Sequence, residues 1–385
     1  MEVPARFGEA FDALHAAASA RAGADDFGPP DYCQGLRLLL QAFDEAPFSA
    51  SGRRFAFGAL TGVLVARLYA QSGWSRHPQY RSVAIRAPLV ITGIPRTGTT
   101  ALHKLLSVDP QFQGIERWLA ATPMVRPPRG RWPEQPEYRA CVAGLQAVAE
   151  AAPALLSMHD MTADSVDECL DVLQQSFVSN LFASSYDVPR YSQWLLQQSE
   201  APSYRRYADV LRLIGLADQD KRWLLKNPGH TWELESLFEV FPDACVVQTH
   251  RTPLKALPSL CSVLEVSRGI YHGAQVRPER IGAAEAAKWR RAIDRAEAAR
   301  ARRPGRFFDV DHRRFHADPI GVVRAIYRRF DLELRENVVG RMRDWLEQQP
   351  AEQKSGHRYM AARFGLGEAQ LREQYADYIE RYGLE

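Results

Sequence analysis

The chain has 385 residues, of which 46% are hydrophobic and 25% charged, and its 49 Lys and Arg against 46 Asp and Glu give a net charge of +3. This length allows a large core in one domain or two. The even balance of charge argues against general nucleic-acid binding. The sequence has no stretch of about 20 apolar residues, so we expect no membrane-spanning helix.

The five cysteines are scattered without paired spacing. An odd, scattered set argues against a disulfide framework, and the sequence shows no zinc or redox motif, so we expect no metal site. The first residues, MEVPARFGEAFD, contain acids and lack the apolar core of a signal peptide. We therefore expect a cytoplasmic protein, and the sequence leaves its oligomeric state open.

Helices and strands follow from hydrophobic spacing. Apolar residues three and four positions apart predict helices over 36–43 and 55–69. Further along the chain, short apolar runs alternate with helical patterns, which is typical of parallel βαβ units. The predicted strands are 89–91, 223–225, 244–249 and 307–310, and the predicted helices begin at Thr99 or cover 137–151, 165–185, 203–216, 232–241, 253–267, 283–303 and 318–330.

The most specific pattern lies in residues 88–107, PLVITGIPRTGTTALHKLLS. A predicted strand is followed by a loop between Gly93 and Gly98, and a helix begins at Thr99. The free N–H groups and the dipole of such a helix start favour an anion. The spacing matches the phosphate-binding pattern G-x-x-x-x-G-K-[ST], except that Thr99 stands at the lysine position.

The side chains of this loop favour an anion site that works without a metal. Arg96 is the only cation of the loop, and hydroxyls come from Thr97, Thr99 and Thr100. A nucleoside triphosphatase needs the missing lysine and an acidic group for magnesium. An arginine with several donors suits a phosphate or a sulfate instead. The alternative is an ordinary turn between strand and helix.

Two more cations follow predicted strands. Lys226 follows the second of the strands predicted above, and Arg251 follows the third. Ligands of open α/β sheets collect at the carboxyl ends of the strands, so three cations at one edge predict a ligand with several negative groups. Ser259, eight residues after Arg251, adds a hydroxyl suited to a second phosphate. The alternative for each cation is an ion pair with a neighbouring helix.

These residues resemble the motifs of sulfotransferases that use 3′-phosphoadenosine 5′-phosphosulfate (PAPS). They are most similar to the bacterial-type family, which is related to the tyrosylprotein sulfotransferases. Residues 95–100, PRTGTT, resemble the 5′-phosphosulfate loop, and Arg251 with Ser259 resembles the 3′-phosphate motif. Lys226 is similar to the strand-end lysine of the family. The resemblance covers about residues 85–365, and near its end the loop with Lys354 and Gly356 resembles the segment that covers the cofactor.

The resemblance implies PAPS as the donor and transfer of its sulfuryl group to a hydroxyl of a small-molecule acceptor. Transfer would be an in-line displacement without a metal, with positioning and cations supplying most of the catalysis. Arg96 and Lys226 would hold the transferring sulfate and the leaving oxygen. Thr97 would bind the cofactor as part of the loop, and the N–H groups of residues 98–100 would hold the 5′-phosphate.

The acceptor hydroxyl needs a general base. His159 and Glu116 are the leading candidates, followed by Glu168 and His230. Glu116 lies twenty residues after Arg96, where tyrosylprotein sulfotransferases have a catalytic glutamate. Histidine has an unperturbed pKa near 6.5 and is suited to accept a proton at neutral pH.

The predicted fold is therefore α/β, a P-loop-like three-layer fold with helices on both faces of a parallel sheet. Residues 1–84 are expected to form an N-terminal helical cap that is part of the same domain as the α/β region, 85–385. Two other functions stay open. Thr99 in place of lysine argues against a P-loop kinase acting on a small molecule, and the presence of both Arg96 and Lys226 argues against a non-catalytic nucleotide-binding protein.

Overall fold

A computed structural model describes residues 3–151, 162–349 and 361–385. The strands are β1 (Leu89–Gly93), β2 (Phe112–Gln113), β3 (Arg222–Lys226), β4 (Cys245–His250) and β5 (Phe307–Asp311). The helices are α1 (Phe11–Ala22), α2 (Cys33–Glu45), α3 (Ala50–Arg76), α4 (Thr99–Leu106), α5 (Arg117–Ala121), α6 (Pro136–Ala151), α7 (Leu170–Leu173), α8 (Asn180–Ser185), α9 (Pro189–Leu195), α10 (Ala201–Ile214), α11 (Leu234–Val240), α12 (Pro253–His272), α13 (Pro278–Arg302), α14 (His312–Ala317), α15 (Pro319–Arg329), α16 (Glu336–Gln348), α17 (Glu368–Gln374) and α18 (Ala376–Tyr382).

The strands form one sheet in the order β2-β3-β1-β4-β5, and every pairing is parallel. Gly93 pairs with Thr249, and His250 pairs with Asp311. All five carboxyl ends therefore lie at one edge of the sheet. The predicted parallel α/β fold is confirmed, and β2 is an additional strand, too short to be predicted from hydrophobic spacing.

Successive side chains of a strand point to opposite faces of the sheet, and both faces are covered. Leu89 and Ile91 point into a core that also contains residues of α4, α14, α15 and α16. On the opposite face, Arg300 of α13 donates a hydrogen bond of 2.8 Å to Gln248 of β4. Because both faces are covered at the centre of the sheet, β1 is buried along its whole length and begins with three consecutive apolar residues.

The chain divides into two compact units. Unit 1 consists of Met1–Ile85, Ile115–Gln219 and Leu264–Val276, and unit 2 consists of Arg86–Gly114, Asp220–Val263 and Arg277–Glu385. The sheet belongs to unit 2. Unit 1 begins with the predicted helical region and adds two later segments, so the predicted cap alone does not account for it. A single domain for the whole chain stays a prediction.

Unit 1 packs α1, α2 and α3 against residues 177–195 in a common core. Arg67 of α3 is fully buried there, forms an ion pair of 2.7 Å with Asp31 and donates to the carbonyl of Gln175. The predicted helices over 36–43 and 55–69 are confirmed within α2 and α3. Of the helices in the described ranges, none has the length and apolar character needed to cross a membrane.

One predicted helix is wrong as a continuous element. Within residues 165–185 the structure has α7 and α8, which are separated by a short 3-10 helix, Gln174–Ser176, and the residues that follow it. Phe177 has a φ of +52°, which interrupts a right-handed helix. The Ser179 side chain then caps α8 by accepting a hydrogen bond from the backbone N–H of Leu181.

Candidate active site

The loop after β1 passes close to β4, and glycine is required where it does so. Gly93 has a φ of +140°, and a Cβ atom there would lie 2.4 Å from the Thr249 carbonyl oxygen. Gly98 has a φ of +94° and is the N-cap residue of α4. These two residues let the backbone turn sharply from the sheet edge into the helix.

Arg96 adopts a backbone conformation that costs energy. Its φ is +71°, in the left-handed region, where a residue with a Cβ atom loses about 1–2 kcal/mol. Two contacts hold it there. Arg251 donates a hydrogen bond of 2.9 Å to the Arg96 carbonyl, and Arg96 Nε donates one of 3.1 Å to Ser259 Oγ. The exposed arginine is thus held at both its backbone and its side chain.

The three threonines of the loop have different roles. Thr97 is buried, and its hydroxyl donates to the Ile94 carbonyl at 2.7 Å and lies 2.5 Å from the Thr249 hydroxyl. Thr97 therefore uses its side chain to hold the loop. Thr99 is also buried, whereas Thr100 is exposed at the start of α4. The first N–H groups of α4 have no partner within the helix and are available to an anion.

Lys226 reaches the same helix start from the neighbouring strand. It is 3% exposed, and its Nζ donates to Thr100 Oγ1 at 3.3 Å. The turn that follows it is held firmly, because Asn227 Oδ1 accepts a hydrogen bond from Gly229 N. Thr231 Oγ1 accepts one of 3.0 Å from Gly93 N, which joins this turn to the end of β1.

The contacts bring five of the predicted site residues together. Thr100 contacts Lys226, Arg96 contacts Ser259, and Arg251 contacts the Arg96 backbone. Three cations, two hydroxyls and a helix start therefore share the carboxyl edge of the sheet. This set of donors suits a ligand with several anionic groups.

His312 is a site residue that the sequence reasoning missed. It directly follows β5, and its Nδ1 lies 3.3 Å from the position that a Cβ atom of Gly98 would occupy. Burial lowers its pKa to about 4, and the charge of Arg251 acts in the same direction. The rule that ligands collect at the carboxyl ends of parallel strands also applies to the predicted strand 307–310. Applied there, the rule would have identified His312.

A sequence profile described as the sulfotransferase family matches residues 88–336. This range is more than half of the chain and includes all of the loop, strand-end and helix residues described above. The chain belongs to the sulfotransferase family. The enzyme is thus a sulfotransferase, which transfers a sulfuryl group from a sulfate donor to a small-molecule acceptor, and neither a kinase nor a non-catalytic role is favoured.

Solved structures support the same assignment for this sulfotransferase. The sulfotransferase STF1 from Mycobacterium tuberculosis H37Rv is 39% identical, with a TM-score of 0.87 over 95% of this chain and 98% of that one. STF9 from Mycobacterium avium is 26% identical, with a TM-score of 0.89 over 97% of each chain. The P-loop-like fold expected from the sequence is therefore confirmed.

Curated relatives are more distant. Proteins named omega-hydroxy-beta-dihydromenaquinone-9 sulfotransferase Stf3, from Mycobacterium bovis and Mycobacterium tuberculosis, are 24% identical over 313 residues. The match covers 77% of this sulfotransferase and 75% of each relative.

Glu116, a predicted base of the sulfotransferase, lies in unit 1 at the N-cap of α5. Arg126 Nε donates to Glu116 Oε2 at 3.1 Å, and Arg126 also forms an ion pair of 3.0 Å with Asp218. Burial raises the pKa of Glu116, although the charge of Arg126 opposes this shift. The carboxylate is therefore firmly oriented, and its raised pKa makes it a stronger proton acceptor than an exposed glutamate.

The other predicted bases have different surroundings. His230 is fully buried, and burial lowers its pKa to about 3, which makes it a weak base at neutral pH. Glu168 is half-buried, and its backbone N–H donates to Asp167 Oδ1. The predicted residues His159, Lys354 and Gly356 lie outside the described residues.

Two further histidines support the architecture of the sulfotransferase site. His103 of α4 is buried, and its pKa is lowered to about 3, first by burial and then by the charge of Lys226. His250 at the end of β4 lies 2.9 Å from both the Tyr378 hydroxyl and Asp309 Oδ1. His250 therefore joins β4 to α18 and to β5, directly before Arg251.

Proposed function

We propose that this sulfotransferase uses PAPS as its donor and sulfates a hydroxyl group of a small molecule. The observation that carries the proposal is the convergence of Arg96, Lys226 and Arg251 at the start of α4. PAPS carries a phosphosulfate and a separate 3′-phosphate, so it presents anionic groups at two places. The residues present fit such a donor, because cations and hydroxyls also occur in two groups.

The first group would hold the 5′ end of the donor. The N–H groups of Gly98, Thr99 and Thr100 bind the 5′-phosphate, helped by the dipole of α4. Thr97 directly precedes these residues in the loop, and we propose that its own N–H binds the same phosphate. Thr97 thus contributes through its backbone, because its hydroxyl is bonded within the loop.

The second group would hold the 3′-phosphate. Arg251 supplies a guanidinium, and Ser259 supplies a hydroxyl that also accepts from Arg96 Nε. This bond places Ser259 next to Arg96, so that binding of the 3′-phosphate also steadies the arginine that faces the sulfate. The proposal extends to Lys354 and Gly356 as residues that cover the nucleotide, on the basis of their resemblance to that segment of the family.

Arg96 and Lys226 would carry the catalytic step. As the acceptor oxygen attacks, the sulfur–oxygen bond to the phosphate breaks, and negative charge grows on the phosphate oxygen. Fixed cations lower the barrier because they are already oriented toward that charge, and removal of one such group costs about 10²- to 10³-fold in rate. We propose that no metal is needed, because these two side chains supply the positive charge.

The proton of the acceptor hydroxyl would pass to Glu116 or His159. A raised pKa supports Glu116, and the unperturbed pKa of histidine supports His159. Glu116→Gln and His159→Gln separate the two, and Glu134→Gln, which replaces an exposed glutamate paired with Arg131, is the control. The rate of the wild type should fall at low pH as the base becomes protonated. Replacing the true base should remove this fall, whereas replacing the other residue should leave it in place.

The name of the Stf3 relatives describes the molecule that they sulfate, and that molecule carries an omega-hydroxy group. This supports a hydroxyl rather than an amine as the acceptor group here. The scattered cysteines support a cytoplasmic location, which stays a prediction.

The decisive experiment is a calorimetric titration with adenosine 3′,5′-bisphosphate (PAP), the product of the proposed donor. Wild-type protein should bind PAP at micromolar concentration. Arg251→Gln should weaken binding by 10- to 100-fold, since a hydrogen bond to a charged group contributes about 1.5–3 kcal/mol. Arg324→Gln, which removes a partly exposed arginine paired with Glu336, serves as the control and should bind as wild type does. No heat of binding for the wild type at high micromolar PAP would refute the proposal.

A further inference from the structure

Unit 1 contains a cavity of about 920 Å³. Its walls come mainly from α3, α5, α6, α7 and α8, together with Arg21 of α1 and Tyr271 of α12. Pockets that bind small molecules have volumes of about 300–1,000 Å³. The cavity of unit 1 therefore has room for a large ligand of this class.

The cavity wall is mainly apolar. Along α6, Cys141, Leu145 and Val148 follow one another at helical spacing and all line the cavity. Val148 is 36% exposed, although valine is more stable when it is buried. Apolar side chains from the other elements include Leu60, Val63, Ala66, Leu181 and Phe182. An apolar surface of this extent favours an apolar occupant over water.

Polar side chains also line the wall, and its two cations are matched in number by two acids. These residues are Arg21, Arg117, Glu137 and Asp171, together with Thr122, Gln174, Ser185 and three tyrosines. Arg117 forms an ion pair of 2.6 Å with Asp167. The rings of Tyr186 and Tyr271 lie with their centroids 4.6 Å apart, and both side chains are largely enclosed by protein. Such groups orient a ligand through hydrogen bonds and do not demand that the enclosed part of it carry a charge.

Two glycines show that the volume is open at two different helices of the wall. Gly62 of α3 and Gly144 of α6 both line the cavity, and a Cβ atom built on either would meet nothing within 4 Å. Larger side chains at these positions would therefore extend into free space. They would reduce the cavity without displacing its neighbours.

We propose that this cavity binds the apolar body of the acceptor, and that the acceptor is a lipophilic alcohol or phenol. The inference rests on the proposed function, which supplies the hydroxyl group of the acceptor and its sulfation. The size and the apolar wall of the cavity set the chemical class of the remainder of the molecule. A small polar sugar would leave most of this surface without a matching partner.

The test uses a fluorescent long-chain alcohol, 1-pyrenedodecanol, with four proteins: wild type, Gly62→Leu, Gly144→Leu and Gly58→Leu. Gly58 is the matched control, because it also lies on α3 and has no neighbour within 4 Å of a Cβ, but it does not line the cavity. Leucine favours a helix more than glycine does, so none of the three substitutions should lower the melting temperature.

The Kd of the probe should rise at least tenfold in Gly62→Leu and Gly144→Leu and stay within twofold of wild type in Gly58→Leu. The KM for sulfation of the probe should rise in parallel. Equal affinity in all four proteins, or no binding to wild type, would overturn the inference.

A PAP titration of the same four proteins separates this inference from the proposed function. Equal PAP binding in all four, with loss of the probe only in the two cavity variants, supports both. Normal PAP binding with no probe binding overturns the cavity assignment alone. Probe binding without PAP binding in any of the proteins refutes the proposed donor, and with it the identification of the cavity ligand as an acceptor.

Discussion

Replacing Arg96 by glycine and by alanine separates the cost of its backbone conformation from the use of its side chain. At a φ of +71°, alanine keeps a penalty of about 1–2 kcal/mol, which glycine does not have. Glycine loses about 0.5–1 kcal/mol of this advantage through the greater freedom of its unfolded chain. Arg96→Gly should therefore be more stable to unfolding than Arg96→Ala by roughly 0.5–1 kcal/mol.

The comparison is clean because the other losses are shared. Both variants lose the hydrogen bond from Arg96 Nε to Ser259 Oγ, and both keep the carbonyl that accepts from Arg251. Both should also lose sulfuryl transfer by at least about 100-fold, because both lack the guanidinium. Urea unfolding followed by circular dichroism gives the first difference, and transfer from radiolabelled PAPS gives the second.

Two results would refute this reasoning. Equal stability of the two variants would mean that the backbone at Arg96 is not strained. Turnover of Arg96→Gly within tenfold of wild type would mean that the guanidinium does not stabilise the transferring group. A more stable but inactive Arg96→Gly would show that the enzyme keeps a strained residue in order to present its side chain.

Three further predictions concern the same unit. Lys226→Met should lower kcat by about 10²- to 10³-fold. Its Kd for PAP, measured by calorimetry, should stay within about threefold of wild type. An unchanged kcat would contradict the proposed role of Lys226. Gly98→Ala should lower the free energy of unfolding by about 1–2 kcal/mol, measured by urea unfolding, because of its φ of +94° and the approach of a Cβ atom to His312. The pKa values of His103 and His230 are lowered to about 3 in the folded protein, so the unfolded chain binds more protons between about pH 3 and 6.5. The free energy of unfolding should therefore fall as the pH drops through this window, by about 1.4 kcal/mol per pH unit for each histidine, and equal values at pH 7.5 and 5 would count against both shifts.

The anion loop could be predicted from the sequence because its pattern is local. Gly93 and Gly98 mark two of the three loop positions with a positive φ, and Arg96, which lies between them, is the third. The strand before the loop and the helix after it follow from spacing alone. Predicting that Lys226 and Arg251 belong to the same site required one further rule, which is that the carboxyl ends of parallel strands lie at the same edge of the sheet.

The rest of the site depends on tertiary contacts that hydrophobic spacing does not contain. The strand β2 has two residues, so it exists only through its pairing with β3. The cavity of unit 1 is built from segments far apart in the chain, including Gly62, Gly144 and Tyr271. Each segment alone has the pattern of an ordinary buried helix, and nothing in the sequence shows that the segments leave a space between them.

The choice of a general base shows most clearly the difference between what the sequence predicts and what depends on the folded structure. From sequence, a histidine is attractive because its unperturbed pKa lies near neutrality, yet burial lowers the pKa of His230 to about 3. A glutamate is less attractive, yet burial raises the pKa of Glu116 in spite of its ion pair with Arg126. Proton affinity is set by the surroundings that folding creates, whereas a helix start binds anions through its own backbone. A sequence can therefore specify the donor site of a sulfotransferase in detail and still leave its proton acceptor to be decided by the structure and by the pH profiles of Glu116→Gln and His159→Gln.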